Sequence, residues 1–240
     1  MRVVYFSFLM NALGLALKAL SLTTSTSSAV DAEFLHSLGD FIGSGLLAVG
    51  AAMMFRKPTL KHPFGYGRTV YVLGLISTAI VGGFLFSVSL AQGIDQLRTM
   101  SAVRPSDQSI MGMSVAAALD LGVLGWALKE YRHFSSDPSV KGTVIENLAD
   151  SVGDVAALIA LTTSNPLADA YGALTISGIL LVSSASLGWK YFNVLIGTSA
   201  PKNVVGRAIK VALSLPYVID VNDVKSLVIG PDEYVLIMQV

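Results

Sequence analysis

The sequence contains no cysteine, which excludes disulfides and thiolate metal ligands and leaves the redox compartment open. Charge is scarce: Asp, Glu, Lys and Arg make up 13% of 240 residues, against roughly 25% in a soluble domain. Sixteen basic and sixteen acidic residues cancel, so no net field favours nucleic acid. No phosphate-cradling Gly-rich loop with its Lys is present, so the sequence offers no ATP site. Nor does a charged n-region with a small-residue cleavage site open the chain, and Val3 onward is expected to be mature structure. What it has in excess is apolar side chains, at 53%. A chain with so little polar surface cannot wrap a water-soluble core, so lipid is its expected solvent.

Six apolar stretches are long enough to span a hydrocarbon layer of ~30 Å, which takes about 20 helical residues. They run near Val3–Leu22, Val30–Phe55, Thr69–Gly93, Ser109–Leu128, Lys141–Thr162 and Leu167–Ile196. Turn-rich connectors lie at Thr23–Ser28, Lys57–Gly67, Arg98–Asp107, Glu130–Ser139 and Ser164–Pro166. After Pro201 the texture changes: Asn203–Leu215 reads as an amphipathic helix, and Tyr217–Ile229 and Glu233–Val240 alternate as strands do around Gly230-Pro231-Asp232. Basic residues sort to one side of the spans: Arg2, Arg56, Lys57, Lys61, Arg68, Lys129, Arg132, Lys141, Lys190 and Lys202, against Arg98 and Arg104 on the other. By the positive-inside rule both termini and the tail are expected on the cytoplasmic side or its topological equivalent.

Ionisable groups inside spans cost ~2.5–3.5 kcal/mol each on insertion scales, so each requires a reason. The second span carries His36 and Asp40, and the fifth carries Glu146, Asp150 and Asp154. Residues i and i+4 share a helix face one turn apart, so His36/Asp40 and Glu146/Asp150 are two-ligand claws. If the two faces meet, one imidazole and three carboxylates converge. Zinc accepts such nitrogen and oxygen ligands, and oxygen-rich sets also suit manganese and ferrous iron. A lone intramembrane His is more often a hydrogen-bonding bundle residue, but two such pairs on separate spans favour metal. Small residues beside both claws (Gly39, Gly43, Gly45; Ala149, Gly153, Ala156) allow close backbone approach.

Other polar groups have weaker cases. Asp154 continues the Glu146/Asp150 face and either relays protons or pairs with a neighbouring helix. Asp120 has no partner that the sequence names. Lys18 and Asn11 read as bundle contacts or snorkelling groups. His62 reads as a loop-packing residue rather than a metal-entry ligand, and His133 as a solvated one. Asp169, after Asn165-Pro166, reads as a structural carboxylate at the positive end of its own helix.

Several of these motifs resemble the cation diffusion facilitator family. His36-Ser-Leu-Gly-Asp40 is similar to the HxxxD motif of its second span, His62-Pro-Phe-Gly-Tyr-Gly-Arg68 to the run that follows, and Asn165-Pro-Leu-Ala-Asp169 to the start of its last span. Glu146-Asn-Leu-Ala-Asp150-Ser-Val-Gly, and Asp223-Val-Lys225 leading to Gly230-Pro231-Asp232, resemble the branch that contains zinc transporter nine. The resemblance implies an all-α membrane bundle of six transmembrane helices over residues 1–200, a homodimer in the lipid bilayer, and proton-coupled export of divalent metal with no enzymatic activity. Its expected metal ligands are His36, Asp40, Glu146 and Asp150. It also implies a ferredoxin-like α+β cytosolic tail, of which residues 201–240 would be a short, incomplete version, cut short or completed by a partner. Zinc is the expected metal, with Mn, Fe or Co also accepted, because many zinc-moving members carry His where Glu146 stands and strict zinc selectivity is not expected. A manganese- or iron-preferring or broad-specificity transporter and a membrane-embedded hydrolase are the alternatives, the last without a visible nucleophile motif.

Overall fold

The computed structural model describes residues 2–133 and 138–240, with the side chains of 2–9, 130, 133 and 138–143 also outside the description. Residues 134–137 of the expected Glu130–Ser139 connector therefore lie outside it, as do the side chains of Arg2, His133 and Lys141. The chain is mostly helical. The long helices are α1 (Arg2–Thr24), α2 (Ser28–Met54), a continuous rod Thr69–Thr99, α5 (Asp107–His133), α6 (Pro138–Thr163) and α7 (Pro166–Ile196). They fall where the apolar stretches predict them, the third running several residues further, to Thr99. Four of them, Ser28–Met54, Thr69–Thr99, Asp107–Lys129 and Pro166–Ile196, are long and apolar enough among the described residues to cross a membrane.

The rod Thr69–Thr99 is not uniform. It comprises α3 (Thr69–Ala79), a π-helical segment Ile80–Leu85 and α4 (Phe86–Thr99). The π segment holds Gly82 and Gly83, and a Cβ on Gly82 would overlap the Ser184 side chain. One residue added to a turn rotates every later side chain by about 100° around the axis. The sequence pattern predicts a plain helix there, because the local composition is uniformly apolar.

The chain divides into two compact units, Met1–Ser44 with Thr78–Ala185 and Gly45–Ser77 with Ser186–Val240. In the first, α5 packs along both α1 and α6. Its core is small-residue packing: Ala29 and Val30 of α2 meet Met113 of α5 and Ala157, Ala160 and Leu161 of α6. A second cluster joins Ala32 to Ala173 and Ile176 of α7, and a third joins Val81 and Leu85 of the π segment to Leu180. Alanine and glycine at these crossings let helix axes approach closely, which is how helices associate in lipid.

The second unit holds the tail: α8 (Lys202–Leu213) and an antiparallel pair, β1 (Asn222–Gly230) and β2 (Glu233–Gln239). The pair pivots on Pro231-Asp232, with Asp232 at φ 57°. The helix matches its expected place, whereas the first strand starts at Asn222 rather than Tyr217, whose side chain is fully exposed. The loop after α2 is a tight turn in which Thr59 and His62 exchange backbone hydrogen bonds at 3.1 and 3.0 Å. His62 packs its ring on Tyr66 at 4.7 Å between centroids, in keeping with the loop-packing reading. Arg68 donates to the Val228 carbonyl at 3.2 Å, and a Cβ on Gly67 would meet the Ile229 carbonyl at 2.6 Å. The basic loop is thus built to seat the strand hairpin.

Candidate metal centre

The site begins with how α2 is held. Its first turn has free N–H groups, and these are capped from another helix. Asp169, in the first turn of α7, accepts hydrogen bonds from the Ser27 hydroxyl, from Ser28 N at 2.9 Å and from Ala29 N at 3.0 Å. Asp169 is fully buried. The structural reading of this residue stands, but the helix it caps is α2 rather than its own.

From that fixed start, α2 presents Glu33, His36, Ser37 and Asp40 over two turns, and α6 presents Glu146, Asp150 and Asp154. The two faces meet, and Gly153 is one reason. A Cβ there would overlap the Glu33 carboxylate, so glycine lets α6 approach α2 with that buried side chain in place. Of the four expected ligands, three converge: His36, Asp40 and Asp150 offer ligand atoms within 4.8 Å of one another. His36 Nε2 lies 3.0 Å from Asp150 Oδ1 and 3.6 Å from Asp40 Oδ2. Tetrahedral zinc with bonds of 2.0–2.1 Å would separate its ligand atoms by about 3.3 Å, which those two distances bracket. His36 is 4% exposed, and among the described residues its Nδ1 has no hydrogen-bond partner. Glu146 is not in this three-residue group; it stands half-buried on α6, one turn before Asp150.

Sequence reasoning missed the neighbouring cluster. Lys18 of α1 is 1% exposed, so it does not snorkel; its ammonium is a bundle contact. It lies 2.8 Å from Glu33, 2.8 Å from Asp154 and 3.1 Å from Asp120, and donates to Ser37 Oγ at 3.0 Å. Asp120 thereby acquires its partner, and Asp154 pairs with a neighbouring helix, the second of the two roles its position allows. Glu33, three residues before His36, is a fully buried carboxylate that meets the same test of intramembrane cost. A cavity lined by Asn11, Gly14, Lys18, Ser37, Asp40, Asp120 and Asp150 touches both clusters.

The long apolar helices define an integral membrane protein, with a buried imidazole and carboxylates brought together from two of those helices. The chain matches the cation efflux transmembrane domain over residues 4–196, and it belongs to that family. Members are transporters rather than enzymes, which removes the hydrolase alternative. Among its relatives is the "Proton-coupled zinc antiporter SLC30A9, mitochondrial" of Xenopus laevis, 29% identical over 249 residues, 95% of this chain and 44% of that protein. Metal tolerance protein C4 of Arabidopsis thaliana is 27% identical over 229 residues, 88% of this chain and 50% of that protein. Magnetosome protein MamB of Magnetospira sp. is 24% identical over 236 residues, 96% and 79% of the respective chains. The chain thus spans about half the length or less of the first two relatives.

Proposed function

We propose that this chain is a secondary transporter that carries divalent metal, zinc foremost, across a membrane in exchange for protons. The observation that carries the reading is the convergence of His36, Asp40 and Asp150 from α2 and α6 at zinc-like separations, inside a bundle. Glu146 is the fourth ligand, reached by a side-chain rotation from its place one turn before Asp150. Ligands must lose protons to bind metal, so binding releases protons and protonation releases metal. That linkage gives exchange without ATP. Rocking of the helices around the site supplies access from either side. Six spans, termini on the cytoplasmic side or its equivalent, and a homodimer complete the reading. They are supported by the six long helices, by the sorting of basic residues and by family membership. The tail, with one helix and two strands, is read as part of a ferredoxin-like domain.

The test is metal flux in proteoliposomes. Asp40→Asn and Asp150→Asn keep shape and remove charge that offsets the ion's, so each is expected to cut zinc flux by about a hundredfold or more while the protein stays monodisperse. Near-native flux in either variant would refute the assignment.

A further inference from the structure

We propose that the Lys18–Glu33–Asp120–Asp154 cluster, rather than the metal ligands alone, holds a proton that moves against the metal. The inference rests on the exchange reading above and adds a second site to it.

The charge count is the starting point. One ammonium faces three carboxylates within 3.1 Å, and the side chains are 0–4% exposed. Fully ionised, the cluster would carry two net negative charges in the protein interior, where unpaired charge is heavily penalised. A cluster of that composition lowers its energy by keeping a proton. The hydrogen-bond pattern agrees: among the described residues, Glu33 Oε2 and Asp154 Oδ2 are buried without a hydrogen-bond donor. A buried carboxylate oxygen left without a donor is where a carboxylic hydrogen resides at least cost.

The cluster is also placed to sense the metal. Glu33 lies one turn before Ser37 on α2, and Asp154 one turn after Asp150 on α6, so both sites are carried by the same two helix faces. Ser37 accepts from Lys18 at 3.0 Å, and one small cavity is lined by Lys18 and Asp120 together with Asp40 and Asp150. The described ionisable groups facing this region are Lys18 from α1, Asp120 from α5, Glu33, His36 and Asp40 from α2, and Glu146, Asp150 and Asp154 from α6. A divalent cation arriving at Asp40 and Asp150 adds positive charge beside a cluster that is negative overall. It favours the ionised form there, and the carboxylic hydrogen leaves as a proton to water on the open side. By linkage, reprotonation weakens metal binding to the same extent.

The experiment counts protons and metal separately on the purified full chain. Zinc is titrated in weakly buffered detergent while proton release and bound zinc are both measured, followed by zinc-driven proton flux in proteoliposomes. In Asp120→Asn, Lys18 keeps Glu33 and Asp154, and zinc affinity is expected within about threefold of native. Protons released per zinc are expected to fall by about one, and the pH dependence of flux to flatten. Asp154→Asn, made in parallel, is expected to do the same and serves if the first variant does not fold. Native proton release per zinc in both variants overturns the proposal and leaves the exchange reading intact. Loss of zinc binding together with proton release also overturns it, since the cluster would then serve the metal. A native chain that binds zinc without releasing protons defeats the exchange reading, and this proposal with it.

Discussion

A buried ammonium survives only in company. Lys18 is surrounded by Glu33, Asp120, Asp154 and Ser37 so closely that removing it strands three carboxylates. Lys18→Met is expected to destabilise the bundle by roughly 3–5 kcal/mol, and thermal melting in detergent checks this. Glu146 is tested differently. If it is the fourth ligand, Glu146→His exchanges a hard carboxylate for imidazole and sharpens the preference for zinc over manganese, measured by competition at several pH values. Unchanged preference and pH dependence would remove Glu146 from the ligand set. His36, Asp40 and Asp150 were legible in the sequence because i,i+4 spacing carries its own geometry. Lys18, Glu33 and Asp120 were not, because their meaning depends on which helices face each other. A lysine within a span has two fates, paired or snorkelling, and nothing in the local pattern of α1 distinguishes them.

At the scale of elements, the helices follow their apolar lengths and the hairpin follows its alternation. The π segment does not follow: within it Gly82 packs against Ser184 of α7, a tertiary contact that local composition does not announce. Gly153 is the clearest case of sequence meaning realised in packing. Gly153→Ala puts a methyl group into the Glu33 carboxylate, and a loss of about 1–3 kcal/mol in stability is expected from the enforced shift. The same change should disturb the Lys18 contacts, so proton release per zinc is expected to change alongside the melting temperature. Asp169→Ala removes three hydrogen bonds from the start of α2 and should cost about 1–3 kcal/mol, again read by melting.

For the molecule as a whole, composition already dictated a lipid environment, and membership of the cation efflux family agrees with it. The proposed exchange predicts how the chain responds to pH. Because metal must displace protons from its ligands, apparent zinc affinity is expected to rise as pH rises and to fall as the ligands and the Lys18 cluster are protonated. A pH series of zinc titrations on the purified chain measures this, and a flat profile would contradict the coupling.

The peg formed by Asp169 has a mechanical consequence. Pinned at Ser28 and Ala29, α2 behaves as a lever whose fulcrum lies at its first turn. At 1.5 Å per residue, His36 sits about 12 Å along the arm and Asp40 about 18 Å. A swing of roughly 10° about that fulcrum would carry the imidazole about 2 Å and the carboxylate about 3 Å. The two side chains on one helix therefore travel unequal distances. Riding on one arm, His36 and Asp40 keep their mutual distance, while the swing displaces Asp40 further than His36 relative to Asp150 on α6.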